Sequence, residues 1–234
     1  MALETIIDKI MDGTIPKEKT ILNVCNTGQT ASYATGILNL LGYNSQNLLY
    51  GMCAVSTDST IIGTHLWNEQ IITDEFAGQL VTKGATVSIQ YQFPVLKTGK
   101  KTAEDIIMER ARQVIPHRGE ITADKVFAQP ENYFIINYWP QAEYENPGHI
   151  PGAYCFPPKT SLKTDAMLSY LPNDRDIVIY CYTGQTSAQI TAYLQILGYK
   201  AKNLLFGMNG FAYQVMTKTK YYPPFKDYSA IIEK

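Results

Sequence analysis

Two cysteines stand in the same local setting, because each ends a short apolar run and each is followed by a similar polar loop. The first is Cys25 and the second is Cys181. Loop amides beside the N-terminus of a following helix favour a thiolate over a thiol, because free N–H groups and the positive helix end stabilise negative charge. The same amides form a cradle for an anion. We therefore predict Cys181 and Cys25 as catalytic nucleophiles.

The loops that follow the two thiols supply the predicted substrate-binding residues. Each loop contains the sequence Thr-Gly-Gln-Thr, which offers backbone amides and hydroxyl groups. No metal ligand is predicted in either loop. The predicted residues are Asn26, Thr27, Gly28, Gln29 and Thr30 after the first cysteine, and Tyr182, Thr183, Gly184, Gln185, Thr186 and Ser187 after the second.

A strand, a loop and a helix are the elements that would position the second thiol. Residues 177–180 (Ile-Val-Ile-Tyr) favour a strand that runs straight into Cys181. From Gln189 onward the chain places apolar residues at helical spacing, and Gly198 follows where a left-handed C-cap residue belongs. The apolar positions are Ile190, Leu194 and Leu197.

The same stretch occurs twice in the chain. Residues 21–52 align without a gap to residues 177–208, at an offset of 156, and half of the 32 positions are identical. A match of this length indicates an internal duplication, so each copy is expected to belong to a domain-sized unit.

Composition limits the classes of function. Hydrophobic residues make up 45% of the 234 residues and charged residues 18%, so the chain can bury a core. A formal net charge of −1 argues against a nucleic-acid partner. No apolar run reaches the roughly 20 residues of a membrane span, and no signal peptide is recognised at the start. Localisation is left open between cytoplasmic and exported.

Cysteine and histidine spacing predicts neither a metal site nor a cofactor. The four cysteines show no Cys-x-x-Cys pair and no dense framework, so zinc and a disulfide scaffold are not expected. The three histidines are scattered and are interpreted as packing residues: His65, His117 and His149.

The remaining elements are predicted from apolar periodicity and capping signals. Helices are predicted at 4–12, from about 31 to 41, from Thr102 to Val114, at 121–127 and at 162–171. Strands are predicted at 21–24, 48–50, 85–93 and 133–137, with a turn at 148–153 that leads into another strand. Short apolar strands alternating with helices indicate an α/β fold with a parallel sheet, whose ligands bind beyond the carboxyl ends of the strands.

Several segments together resemble the rhodanese (sulfurtransferase) family. They are Gly-His-Ile-Pro-Gly-Ala at 148–153, Ile-Val-Ile-Tyr-Cys-x-x-Gly at 177–184, Leu-Gly-Tyr at 197–199 and Asn-Leu-Leu-Phe-Gly-Met at 203–208. The resemblance implies a rhodanese-like doubly wound parallel sheet with flanking helices, here duplicated. It also implies a cysteine that accepts a sulfane sulfur as a persulfide and passes it to cyanide or another thiol.

The resemblance divides the chain into four parts. Residues 1–55 match the C-terminal half of a first rhodanese-like domain, and residues 119–217 match a complete one. Residues 56–118 are interpreted as a structured connector, and residues 218–234 as a C-terminal tail in which 220–225 straps against its own domain.

Both loops depart from the family pattern, which commonly has arginine after the cysteine and at the end of the loop. Those places hold Asn26 and Thr30 in one copy and Tyr182 and Thr186 in the other. Without guanidinium groups to hold thiosulfate, a persulfide or polysulfide is the better expected donor. The expected partners are a small sulfur donor with a thiol or cyanide acceptor, or a protein persulfide.

Two other functions compete with sulfur transfer. The missing arginines favour, as the alternative, a non-catalytic module for sulfur sensing or protein interaction. Phosphatase or arsenate-reductase chemistry needs Cys-x5-Arg, but the sixth residues after the cysteines are Ala31 and Ser187, so this reaction is set aside.

An incomplete first unit would expose an apolar sheet edge. We expect part of 56–118, the second domain itself or a second copy in a homodimer to cover it.

Overall fold

The computed structural model describes residues 1–63, 67–68, 70–223 and 228, so His65 and positions 224–225 of the predicted strap lie outside it. Seven strands are present in this part: β1 Ile21–Asn23, β2 Ser45–Asn47, β3 Glu120–Ile121, β4 Phe134–Asn137, β5 Tyr154–Cys155, β6 Ile177–Tyr180 and β7 Ala201–Leu204. Its α-helices are α1 Ile6–Met11, α2 Gln29–Leu40, α3 Ser59–Ile62, α4 Ala103–Val114, α5 Ala123–Ala128, α6 Gln141–Glu145 and α7 Gln185–Ile196.

A five-stranded parallel sheet forms the larger core, in the order β3-β7-β6-β4-β5. Its two central strands, β4 and β6, are buried at every position, as expected of parallel strands covered on both faces. The register pairs Phe134 with Ile177 and Asn137 with Tyr180. The predicted α/β class, with a parallel sheet and flanking helices, is confirmed.

A second, two-stranded sheet carries the first cysteine. Strands β1 and β2 pair in parallel, with Ile21 opposite Ser45. The elements β1, α2 and β2 start at positions that lie 156 residues before the starts of β6, α7 and β7. Within the described ranges β1 pairs with β2 alone, and Leu22 and Val24 are 59% and 45% exposed. In the larger sheet the equivalent strand β6 pairs with β4 on this side. The corresponding edge of β1 is therefore open.

Helices α2 and α7 pack against each other and join the two sheets. Ile37 and Leu38 of α2 are fully buried in a cluster that also contains Ala188 and Ala192 of α7. Gly36 permits this approach, because a Cβ there would lie 3.0 Å from the carbonyl oxygen of Gln189. Helices α1 and α4 complete the same cluster.

Residues 85–93 of the connector contact the unit that holds the five-stranded sheet, whereas α4 of the connector packs in the cluster that contains Ile21 of β1. Residues 85–93 form no strand beyond an isolated bridge between Ala85 and Tyr154, so the strand prediction is wrong. The backbone N–H of Tyr91 donates to the Ser169 carbonyl at 2.8 Å, and Asn173 donates to Gln92. These bonds go to a 3₁₀ turn and a loop instead of a neighbouring strand. The expectation that part of 56–118, the second domain or a second copy covers the first sheet stays a prediction.

The capping signal at Thr102 predicted the start of α4 correctly. Thr102 Oγ1 accepts the backbone N–H of Asp105 at 3.1 Å, and the helix ends at Val114 before Pro116. Other elements differ from their predicted positions or types. The strand expected at 48–50 lies at Ser45–Asn47, and the helix expected at 162–171 is only a 3₁₀ turn at Met167–Tyr170. The segment at 121–127 divides into β3 and α5.

The described part of the tail lies across both cysteine-bearing units. The Tyr50 hydroxyl donates to the carbonyl of Lys220 at 3.0 Å. Tyr221 donates from its hydroxyl to the Cys53 carbonyl at 3.0 Å, and from its backbone N–H to Asn209 Oδ1 at 2.8 Å. This segment thus contacts the first unit as well as the second.

No helix among the described residues is long and apolar enough to cross a membrane. The same residues contain no cluster of His, Cys, Asp and Glu that could hold a metal ion.

Candidate functional site

Cys25 lies one residue beyond Val24, after the carboxyl end of β1 and ahead of the loop that leads into α2. Its Sγ accepts the backbone N–H of Gly28 at 3.1 Å and that of Ala31 at 3.4 Å. Gly28 adopts φ +84°, and a Cβ at this position would overlap the side chain of Gln185. The glycine is therefore required both by the turn and by the close approach of the other unit.

A cavity of about 580 Å³ opens beside the half-buried Cys25 thiol. This volume is within the range of small-molecule sites, about 300 to 1,000 Å³. Four of the five predicted loop residues line it, and only Gly28 does not. The lining residues are Cys25, Asn26, Thr27, Gln29, Thr30, Arg118, Glu120, Leu205 and Phe206.

Two charged residues of this cavity were missed in the sequence. Arg118 and Glu120 lie nearly 100 positions after Cys25 and belong to the entry of β3. The guanidinium Nε lies 3.1 Å from a carboxylate oxygen of Glu120, and Nη1 lies 3.7 Å from Glu4. No local signal connects Arg118 with the Cys25 loop, so only the tertiary structure could reveal it.

Cys181 follows β6 and is only 3% exposed. Its Sγ accepts the backbone N–H of Ser187 at 3.4 Å and lies 3.4 Å from the Ser187 hydroxyl. That hydroxyl donates to Asn203 Oδ1 at 2.7 Å. The thiol is then the donor in its contact with Ser187, and its hydrogen bonds are made inside the protein.

Aromatic side chains fill the space beside Cys181. Tyr182 stacks on Trp139 with ring centroids 4.7 Å apart, and Lys218 lies 5.7 Å from the Tyr182 ring. The cavity lined by Tyr182, Trp139 and Met208 measures about 10 Å³, which is about the space for one water molecule. This cavity is too small for a sulfur donor, and Cys181 does not line it.

The glutamines of the two loops face the opposite unit. Gln29 Oε1 accepts the backbone N–H of Phe206 at 2.8 Å. Gln185 Oε1 accepts the backbone N–H of Tyr50 at 3.1 Å. Gln185 and its neighbours Thr183, Gly184 and Ser187 are buried, and only Thr186 of the second loop is exposed.

A comparison with protein families decides what the second unit is. Residues 123–214 match the family described as Rhodanese-like domain. This part of the chain is a rhodanese-like domain. Its bounds lie within the predicted 119–217, and it contains Cys181. No curated protein matches the chain.

Solved structures similar to this chain include other rhodanese-related proteins. A rhodanese-related protein from Thermoplasma volcanium is 20% identical, with 38% of this chain and 86% of that chain covered and a TM-score of 0.35. A rhodanese-like domain protein from Staphylococcus aureus is 25% identical, with 40% and 90% covered and a TM-score of 0.35. A probable thiosulfate sulfurtransferase is 16% identical, with 91% and 77% covered and a TM-score of 0.39.

Cys155 and His149 are titratable groups of the rhodanese-like domain that lie outside the cysteine loop. Burial raises the pKa of the Cys155 thiol to about 11, with a smaller contribution from Glu145. Burial lowers the pKa of His149, whose Nδ1 lies 2.7 Å from the Tyr144 carbonyl oxygen. Outside this domain, burial raises the pKa of Cys53. These shifts leave Cys53 and Cys155 as thiols near neutral pH.

Proposed function

We propose that the protein is a sulfurtransferase that carries sulfane sulfur as a persulfide on Cys25. The observation that carries this proposal is the Cys25 thiol itself, which accepts two backbone amides and lines a cavity of about 580 Å³. Cys181, which matches the family pattern better in sequence, is 3% exposed. The geometry therefore favours the cysteine of the smaller unit.

The proposed reaction has two half-steps that use the same sulfur atom. The Cys25 thiolate attacks the outer sulfur of a donor R–S–SH, so that the Cys25 S–S bond forms and the donor's S–S bond breaks. The donor leaves as R–S⁻. A thiolate or cyanide then attacks the outer sulfur of the persulfide and restores the Cys25 thiolate. The N–H groups of Gly28 and Ala31 stabilise negative charge on the Cys25 sulfur at both stages.

We also propose the domain organisation that the sequence predicts. Residues 1–55 are the C-terminal half of a first rhodanese-like domain, joined by the connector 56–118 to a complete domain at 119–217, with a tail at 218–234. The two-stranded sheet supports this proposal, since β1, α2 and β2 occupy the positions of β6, α7 and β7 shifted by 156 residues. The duplicated halves pack through α2 and α7.

A second function is favoured for the unit that contains Cys181. Its thiol is 3% exposed and lies in a buried cluster with Trp139 and Phe211, which supports a non-catalytic role. In this role the complete domain holds the Cys25 loop in place and supplies Glu120 and Phe206 to its cavity, and the last residue of the connector supplies Arg118.

Mass spectrometry after exposure to a persulfide donor tests the proposal. The wild-type protein should gain one sulfur atom on the peptide that contains Cys25, and C181S should do the same. C25S should gain none and should lose sulfur transfer to cyanide. Sulfur on Cys181 with an unmodified Cys25 would contradict the assignment. Absence of any sulfur adduct would favour the non-catalytic alternative for the whole chain.

A further inference from the structure

We propose that the Cys25 cavity selects a sulfur donor that carries both a carboxylate and an ammonium group, as an amino-acid persulfide of the cysteine type does. Arg118 and Glu120 are the specificity-determining residues. This inference rests on the proposed function and adds the substrate class of the same site.

The charge pattern of the cavity supports this donor class. Arg118 and Glu120 line the cavity together with Cys25, and their side chains are 32% and 38% exposed. Within the described part of the chain, Nη2 of Arg118 has no hydrogen-bond partner. The same holds for the second carboxylate oxygen of Glu120. Each residue can therefore bind a ligand group while the bond between them stays in place.

A dianion fits this cavity poorly. Two carboxylates, Glu120 at 3.1 Å and Glu4 at 3.7 Å, already surround the Arg118 guanidinium. Their combined charge exceeds that of the guanidinium, so thiosulfate would meet net repulsion. A zwitterion instead places its carboxylate on Arg118 and its ammonium on Glu120, and both contacts are attractive.

The rest of the cavity suits the uncharged part of such a donor. Leu205 and Phe206 provide apolar contacts for a methylene group, while the Cys25 thiol receives the outer sulfur. The transfer follows the first half-step above. The Cys25 S–S bond forms, the donor's S–S bond breaks, and the amino-acid thiolate leaves.

Three donors that differ by one charged group test the proposal. They are cysteine persulfide, N-acetylcysteine persulfide, which lacks the ammonium, and cysteamine persulfide, which lacks the carboxylate. We expect the full-length wild-type protein to form the Cys25 persulfide about tenfold faster from cysteine persulfide than from either analogue, as for the loss of one charge-assisted hydrogen bond. Peptide mass spectrometry over time measures the three rates.

Two variants test which residue is responsible for each donor preference. E120Q should abolish the preference over the N-acetyl donor and retain the preference over cysteamine persulfide. R118Q should abolish the preference over cysteamine persulfide and retain the preference over the N-acetyl donor. E131Q and R175Q are matched controls, because Glu131 and Arg175 line a different cavity, and both should keep the wild-type ratios. Each ratio is measured within one protein sample, so partial unfolding of a variant lowers all three rates together.

The outcomes separate this inference from the proposed function. Equal rates from all three donors in the wild type would overturn the inference and leave Cys25 sulfur transfer standing. Unchanged ratios in both E120Q and R118Q would also overturn it. If no donor places sulfur on Cys25, the proposed function fails and this inference fails with it.

Discussion

Gln29 and Gln185 occupy equivalent positions in the two cysteine loops, and each hydrogen-bonds the backbone of the opposite unit. Gln29 Oε1 accepts the N–H of Phe206 at 2.8 Å, and Gln185 Oε1 accepts the N–H of Tyr50 at 3.1 Å. The four positions are related in pairs by the offset of 156. The exchange is reciprocal, so the loop glutamine of each unit supplies the acceptor for a backbone N–H of the other unit.

Replacing either glutamine should destabilise the protein. In Q29A the Phe206 N–H, and in Q185A the Tyr50 N–H, would lose its acceptor in a partly buried site, at a cost of about 1 to 3 kcal/mol. Thermal unfolding measured by circular dichroism should show a lower Tm for both variants. Q46A is the control, because Gln46 is an exposed residue of β2, and its Tm should match that of the wild type. Wild-type Tm values in Q29A and Q185A would show that the exchanged bonds contribute nothing.

The four cysteines should differ sharply in alkylation rate. Cys25 is half-buried beside a cavity, whereas Cys53 and Cys181 are 1% and 3% exposed. Cys155 is accessible in part, but burial raises its pKa to about 11, so little thiolate is present at pH 8. Iodoacetamide followed by peptide mapping should therefore modify Cys25 first, by at least about tenfold. Faster labelling of Cys181 would mean that the aromatic contacts around it open readily.

An arginine placed in the first loop should improve the use of thiosulfate. Thr30 lines the cavity, so the new guanidinium of T30R would offset Glu120 and Glu4 and bind the dianion. We expect thiosulfate:cyanide activity to rise about tenfold, mainly through KM. T186R is the matched control, because Thr186 is the equivalent position next to the buried Cys181. An equal gain in T186R would place the reacting thiol in the second unit.

Stability should fall in mild acid because of His149. This residue is 1% exposed, and burial lowers its pKa below the unfolded value of about 6.5. Below that pH the unfolded chain binds a proton that the folded protein resists, so the free energy of unfolding decreases as pH falls. One such group contributes a slope of at most about 1.4 kcal/mol per pH unit, and its contribution levels off above pH 6.5 as the unfolded histidine loses its proton.

Chemical unfolding at a series of pH values measures this dependence. H149Q should lose part of the decrease below pH 6.5. H117Q should retain it, because His117 is exposed. An identical pH profile in H149Q and the wild type would assign the acid sensitivity to other groups.

Local sequence was sufficient to predict the two central strands of the five-stranded sheet. The runs at 134–137 and 177–180 are strands because they are apolar and β-branched, and such runs are stable only when both faces are covered. Thr102 and Asp105 located the start of α4, since the cap depends on residues three positions apart. The predicted strand at 85–93 failed because alternation alone does not supply a neighbouring strand.

The sequence also determined that two cysteines share one loop type, but it could not determine which thiol is accessible. The loops are nearly the same, so nothing local distinguishes Cys25 from Cys181. Tertiary structure decides between them. Strand β6 lies between β7 and β4 and is covered by Trp139 and Tyr182, whereas β1 pairs only with β2 in the described chain. The accessibility of each thiol depends on which distant segments pack beside its strand. The same long-range packing places the charged side chains of Arg118 and Glu120 in the Cys25 cavity.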